Sequence, residues 1–413
     1  MSAAGYAGTV LPLVVETVAA DDIGLLIPLL DSRDPLLFIR RGEGVAGIGE
    51  ALRLEFTGPT RLADAAAAWR EVVTAATITD PIGLPGTGLI ALGSFAFSEH
   101  SAATSVLIVP RVVIGRRAGR SWITRINAPT APIPIPTTLG HEYRISLRPG
   151  ELTAEAFIEA VDAAIAEIAT GTVRKVVLAR DLVGRLPDGA DLRRVLTYLA
   201  LGYPDSFTFA VNGLVGSSPE TLVRVDGGSV TARVLAGTIG RGADADSDLE
   251  ASITLATSTK DLDEHQFAIG SVMSALRPHS STLAASDQPF TLKLPNLWHL
   301  ASDVVGSLSD GSSSLDLVNA LHPTAAVAGN PTSLALEAIQ RLEPFDRGRY
   351  AGPVGWVDAN GDGEWAVALR CAHVSSTGRI TAYAGAGIVR DSVAAAELAE
   401  TKMKFRPMVE AFS

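Results

Sequence analysis

The chain has 413 residues, with 34 Lys plus Arg against 45 Asp plus Glu, a net charge of −11 and a sequence pI near 5.2. That balance speaks against nucleic acid as a partner, because binding phosphates needs a basic footprint. With 47% hydrophobic residues and a mean hydropathy of +0.26, the chain can bury a large core, which excludes disorder as a global description.

Length alone suggests two or three domains of about 150 residues each. The single cysteine, Cys371, allows no intramolecular disulfide and fits a reducing cytosol. Its setting in Ala368-Leu369-Arg370-Cys371-Ala372 reads as a small buried hydrophobe. The N-terminus shows no basic region ahead of an apolar stretch, and no window approaches about 20 uninterrupted apolar residues. A cytoplasmic monomer with no membrane attachment is expected.

In the first 140 residues, β-type runs alternate with Gly/Pro turns: 36–39, 51–56, 91–97 and 105–113. A helix interrupts them at about 61–76, where the alanines and spaced apolar residues suit a 3.6 period. Residues 127–137, NAPTAPIPIPT, form an extended Pro-rich connector. Thr153 then caps a helix with Ala156 at N3 and Phe157, Ile158, Val161, Ile165 and Ile168 at helical spacing, closed by Gly171. A strand follows at 175–182, a helix at 192–201, and strands at 206–211, 221–225 and 230–235. A long helix covers about 261–276, then a strand 290–300 and a helix 315–321. Strands at 350–357, 365–374 and 380–384 precede a last helix at about 393–412. Strands and helices come in blocks without a βαβ rhythm, so an α+β fold with largely antiparallel sheets is expected. There is no internal repeat and no low-complexity segment.

Two motifs fail on their mechanism. Gly42-Glu43-Gly44-Val45-Ala46-Gly47 matches the dinucleotide-binding string, but Ile48 to Phe56 alternates like a strand where a helix N-terminus should meet the pyrophosphate. Asp358-Ala359-Asn360-Gly361-Asp362-Gly363 copies half of a calcium loop. Its twelfth position is Leu369 rather than Glu, so a hairpin turn is the better reading.

The second half places ionisable residues in apolar surroundings. Lys175 opens Lys-Val-Val-Leu-Ala-Arg, where a strand face can bury its ammonium. Glu220 stands in Ser218-Pro219-Glu220-Thr221-Leu222. Glu264 and His265 follow Lys260 and Asp261 by one helical turn, His299 lies in Trp-His-Leu, and His322 precedes Pro323. Glu397, Glu400 and Lys404 recur at i, i+3 and i+7 and share one helix face. Taken singly, these are solvated helix faces and hydrogen-bonded core histidines. Glu264 with Glu400 beside a lysine supports a hard-metal carboxylate site of the type that suits Mg²⁺ with a bound anion.

Taken together, the strings resemble the chorismate-utilising enzymes: isochorismate synthase, salicylate synthase, and the large subunits of anthranilate and aminodeoxychorismate synthase. The match spans residues 150–412 and includes KVVLAR (175–180), SSPETL (217–222), LAGT (235–238), KDLDEH (260–265), WHL (298–300), LHPTAAVAG (321–329), RYAGPVG (349–355), ALR (368–370), AGAGIV (384–389) and ELAETKMK (397–404). Residues 1–149 are a more divergent part of the fold. The resemblance implies one large domain over residues 1–413, built from two extended, largely antiparallel sheets with helices outside, in place of the two or three domains that length suggests.

It also implies that Lys175 is the base that activates water and Glu220 the acid that protonates a departing hydroxyl. Glu264 and Glu400 match the Mg²⁺ ligands, with Asp261 and Glu397 in outer positions. Thr238, Tyr350, Arg370, Gly387 and Lys404 match the positions that hold the carboxylates of chorismate, and His299 lines the site. Asp261 stands where many relatives have Glu, and Asn330 where a larger apolar residue is common.

Lys175 speaks against the ammonia-using members, which have Gln there. The expectation is isochorismate synthase, supplying menaquinone or a salicylate-type siderophore. The alternatives are salicylate synthase, which goes on to eliminate pyruvate, and a non-catalytic chorismate-binding protein.

Overall fold

A computed structural model describes residues 12–21, 23–132 and 135–413 of the chain. The leader expectation concerns residues 1–11, and part of the Pro-rich connector is Ile133 and Pro134; both lie outside the described residues. Among the described residues no helix is long and apolar enough to cross a membrane.

Two sheets carry the architecture, one of 13 and one of 10 strands among the described residues. Every pairing is antiparallel except Val14–Ala20 with Thr77–Thr79. The early strands enter both sheets: Leu36–Arg40 pairs with Phe207–Val211 in the larger, and Ile90–Ser94 with Pro353–Asp358 in the smaller. One apolar cluster joins the facing sides, from Phe38 and Phe209 of the larger sheet to Leu92, Trp356 and Trp365 of the smaller. A second cluster lies outside the larger sheet, where Val195 and Leu199 of helix Arg193–Gly202 meet Phe405, Met408 and Phe412 of helix Ala394–Phe412.

The helices sit where their apolar stripes require. In Arg61–Ala75, Leu62, Ala65, Ala66, Trp69 and Val72 recur at three- and four-residue intervals and are all buried. Each fully buried Leu or Val on such a stripe contributes about 1.5–3 kcal/mol of burial. Trp69 Nε1 donates to Asp358 O at 3.0 Å, so its one polar atom is also satisfied. Thr153 accepts the Ala156 N–H at the start of Ala154–Ala169, as its sequence predicts.

The Gly-rich string is a β-hairpin. Arg41 and Gly42, both with positive φ, form the two-residue turn between Leu36–Arg40 and Glu43–Ile48. The Asp358–Gly363 segment is likewise a hairpin connection. The Asp358 carboxylate accepts N–H groups from Asn360 (2.8 Å), Asp362 (3.1 Å) and Gly86 (3.3 Å).

Three runs expected as single strands are divided. Ser105–Val109 lies in the smaller sheet and Val112–Arg117 in the larger, with Pro110 at the break because proline cannot continue a ladder. The 290–300 run splits into Phe290–Lys293 and Leu297–Leu308. The 365–374 run splits into Gly363–Val367 and Cys371–Val374, with Arg370 at φ 48° between them. Helices Ala245–Thr257 and Thr332–Leu342 were not anticipated. The first buries only Asp248 and Leu255, which leaves little apolar period to see.

Two crossings between the sheets create the site. Leu214–Ser218 belongs to the larger sheet and Thr221–Asp226 to the smaller, so the chain crosses between sheets at Pro219-Glu220. The neighbouring strands cross at Ala368-Leu369-Arg370. The crossings stay hydrogen-bonded: Val367 N donates to Glu220 O (3.2 Å) and Ser217 N to Arg370 O (3.0 Å). An acid and a guanidinium are thereby set side by side at the junction of the sheets.

Candidate active site

Lys175 is the first residue of strand Lys175–Arg185 and has no exposed surface. Its Nζ lies 3.0 Å from Glu264 Oε1, off the angle of a good hydrogen bond. Glu264 comes from helix Thr259–Leu276, so the pair bridges the larger sheet and a covering helix. Burial acts to raise the Glu264 carboxyl, but Lys175, Lys404 and Lys260 together hold it below its ordinary value. The pair needs a glycine beside it. A Cβ on Gly387 would stand 2.5 Å from Glu264 Oε1 and 3.1 Å from Lys175 Cε.

Glu220 is the other extreme. It is buried at the sheet crossing, and desolvation pushes its carboxyl up to about 8 against the pull of Lys175, Lys404 and Arg370. It therefore carries a proton near neutral pH, the state that a general acid requires.

His299 and Thr238 face each other in register across strands Leu297–Leu308 and Ser229–Gly240, beside a bulge at Gly237. His299 Nδ1 lies 3.2 Å from Gly237 O and 3.0 Å from Thr238 Oγ1. A carbonyl can only accept, so we assign the imidazole proton to Nδ1, which leaves Nε2 to accept from Arg370 Nη2 at 3.2 Å. Burial, and the charges of Arg370 and Lys404, hold His299 well below its ordinary value, so it is neutral. Its role in this geometry is to aim the Arg370 guanidinium.

On helix Ala394–Phe412, Lys404 Nζ bonds Glu400 Oε1 at 2.6 Å and donates to Gly385 O at 2.9 Å. Lys260 Nζ holds the buried Glu397 at 3.0 Å. Asp261 and Glu397 are both raised, first by burial and then by neighbouring carboxylates. Four acids thus gather where the two helices meet, with a lysine against each of Glu264, Glu397 and Glu400. Hard oxygen donors in surplus fit a divalent cation such as Mg²⁺. Among the described residues no three His, Cys, Asp or Glu side chains close on one point. A cation here would take further ligands from the substrate or water.

These groups surround one cavity that opens to solvent, with about 60 Å³ of free space inside it. Glu220, Thr238, Glu264, His299, Tyr350, Arg370, Gly387 and Lys404 line it. Lys175 lies beneath Glu264, and Asp261, Glu397 and Glu400 lie outside the lining. His322 is elsewhere: its Nε2 donates to Phe97 O at 2.9 Å, and burial pushes it down to about 3. The wall also contains Tyr383, stacked on Tyr350 with centroids 5.2 Å apart, together with Ala326, Val327, Leu369 and Arg347. Tyr383 and Arg347 escaped the sequence reading. Arg347 lies two residues before the RYAGPVG string, and that adjacency was the one signal available.

Positive groups and hydroxyls around an enclosed space, with one protonated acid and one buried lysine, define an enzyme acting by acid–base chemistry on a small carboxylate. The family described as "Chorismate binding enzyme" matches residues 136–413, and the chain belongs to it. The chain is 41% identical over 284 residues to isochorismate synthase DhbC of Bacillus subtilis (strain 168), covering 66% of this chain and 70% of that one. It is 34% identical over 310 residues to isochorismate synthase MenF of the same organism, covering 74% of this chain and 65% of the relative. Among solved structures, DhbC of Bacillus anthracis superimposes with a TM-score of 0.78 at 33% identity, covering 94% of this chain and 98% of that one.

Proposed function

We infer that this protein is an isochorismate synthase, converting chorismate to isochorismate. Water adds at C2 of the ring and the C4 hydroxyl leaves, while the two ring double bonds shift between them. The observation that carries the reading is a carboxyl raised to about 8 in the cavity wall, with a fully buried lysine behind Glu264 of the same wall.

Hydroxide is a poor leaving group, so Glu220 gives its proton to the C4 oxygen, which departs as water. Lys175 takes a proton from the attacking water as the water oxygen bonds C2. Protons balance: one leaves Glu220 and one arrives on Lys175, and the reverse reaction exchanges the roles. Glu264 covers Lys175 Nζ, so substrate entry has to swing that carboxylate aside before the amine meets water. Arg370 and Lys404, with the hydroxyls of Thr238 and Tyr350, bind the two carboxylates. Mg²⁺ would be held by Glu264 and Glu400, with Asp261 and Glu397 behind them, and supplies positive charge that binds the ring carboxylate among four acids. The enzyme acts as a monomer in the cytoplasm; for the compartment, the support is its single, buried thiol at Cys371.

The test is to incubate pure protein with chorismate and Mg²⁺ near neutral pH and separate the products by chromatography. A new isochorismate peak approaching a constant ratio with chorismate is expected. Chorismate that decays no faster than in buffer overturns the reading.

A further inference from the structure

Strand Lys175–Arg185 is paired along one whole edge with Arg379–Ile388, but its other edge is incompletely covered. Gly329–Asn330 meets only Lys175 and Val176, and Arg148–Pro149 meets only Leu182 and Val183. Between them, the outward backbone groups of Val177 and Ala179 have no strand beside them. Unpaired groups at this depth carry a desolvation cost. Val177 N finds Ala328 O at 2.9 Å, and two side chains take Val177 O and the Ala179 N–H.

Those side chains are Arg347 and Glu343, bound to each other through both guanidinium–carboxylate contacts at 2.6 and 2.8 Å. Arg347 Nη2 also donates to Val177 O at 2.7 Å, and Glu343 Oε1 accepts the Ala179 N–H at 2.7 Å. Arg347 Nη1 donates to Val327 O at 3.0 Å, which ties in the segment whose Ala326 and Val327 form the cavity wall. The guanidinium lies over the Phe97 ring at 4.5 Å, and both side chains are almost wholly buried. Arg347 faces the catalytic cavity on one side and an outer groove beside His322 and Phe345 on the other.

We propose that the Arg347–Glu343 pair is the positioning device for Lys175: it stands in for a missing strand and fixes the base-bearing strand against the Ala326–Val327 wall. The proposal rests on the isochorismate synthase reading for the role of Lys175. Side chains alternate along a strand, so Lys175, Val177 and Ala179 share one face, and a slack edge at Val177 displaces the amine with it. Displacement of about 1 Å at a reacting group is enough to cost on the order of 100-fold in rate. A planar fork is needed, because a lysine ammonium cannot serve the carboxylate and two carbonyls together.

The test uses Arg347→Lys, which keeps the charge and removes the fork, and Glu343→Gln, which keeps an oxygen for the Ala179 N–H. Steady-state kinetics are measured well below the unfolding temperature and normalised to folded protein. Hydrogen exchange is followed in peptides covering 175–180 and 324–328. The expected result is a kcat at least tenfold lower, a chorismate KM within threefold of wild type, and faster exchange confined to those peptides. If Arg347→Lys does not fold, Glu343→Gln decides by the same readings. A tenfold rise in KM with kcat kept makes Arg347 a substrate-binding residue and overturns the proposal. So do kinetic constants that both stay within threefold, or exchange that rises evenly across the chain. Wild-type protein without isochorismate formation removes the functional reading instead, and the exchange pattern alone then decides whether the pair orders the strand.

Discussion

Lys175 Nζ and Glu264 Oε1 stand 3.0 Å apart, the lysine with no exposed side-chain surface and the glutamate 13% exposed. The lysine belongs to a strand and the glutamate to a helix that covers it, so this contact joins the proposed base to the proposed metal-binding acids. Lys175 and Glu220 approach the cavity from different elements, and each can be removed without deleting the other's support. Lys175→Ala and Glu220→Gln are each expected to lower kcat by roughly 100-fold or more with chorismate binding largely kept. Turnover within threefold of wild type in either variant, by stopped-time chromatography, removes that residue from its role.

The raised Glu220 carboxyl has a sign that can be checked in stability. Its folded value of about 8 lies above the ordinary 4.5, so between those values the folded chain holds a proton that the unfolded chain releases. Its contribution is fully present below about 4.5 and is lost as pH rises through about 8. Each pH unit in that window is worth at most about 1.4 kcal/mol. Urea midpoints of wild type should fall relative to Glu220→Gln across the window and run parallel above it. In kinetics, kcat should decline above about pH 8 as the acid loses its proton. Midpoints that stay parallel throughout would show an unperturbed carboxyl.

Chelation tests the carboxylate cluster. Activity should vanish in EDTA and return with Mg²⁺, while Glu264→Gln and Glu400→Gln raise the Mg²⁺ needed for half-maximal rate or abolish turnover. Full turnover in chelator leaves Glu264, Glu397 and Glu400 as partners of their lysines only.

Gly387 offers a change of one methyl group. A Cβ there would collide with the Glu264 carboxylate and crowd Lys175 Cε. Gly387→Ala should therefore lower kcat about tenfold or more, while shifting the melting temperature by only a few degrees. An unaltered rate would mean that the Lys175–Glu264 pair has room to move without consequence.

Product analysis separates isochorismate synthase from salicylate synthase, because elimination of pyruvate requires the enolpyruvyl group to turn within the cavity. Ala326 and Val327 line that space. With chorismate and Mg²⁺, isochorismate should accumulate and lactate dehydrogenase should detect little pyruvate. Stoichiometric pyruvate with fluorescent salicylate reverses the assignment.

Much of the site was legible because its residues sit in short strings whose local setting is itself distinctive. A lysine opening an apolar strand and a glutamate after Ser-Pro are such settings. The long helix 259–276 and the last helix were legible from period. Three runs were not: two change sheets and keep their apolar character through the crossing, and the third folds back so that Phe290–Lys293 pairs with Leu297–Leu308 in one sheet. Only Pro110 and the positive φ at Arg370 mark two of the breaks, and the second is invisible in sequence. Arg347 was missed for a different reason. Its importance lies in contacts with Val177, 170 residues away, and no local pattern encodes an edge that lacks a strand. Tyr383 has the same problem, being a partly buried aromatic in a β run until its stacking on Tyr350 is seen.

The paired sheet crossings divide the cavity into a fixed half and an adjustable half. Glu220 and Arg370 hang from backbone that is hydrogen-bonded on either side of the bend, so moving one means breaking ladders in both sheets. Glu264, Glu400 and Lys404 ride instead on two helices laid against the sheets, tied to them at these residues by the Lys175–Glu264 ion pair and by the Lys404 bond to Gly385 O. Adjustment of the cavity to a ligand is therefore cheaper at the helix-borne side chains than at Glu220 and Arg370, whose backbone is tied into both ladders.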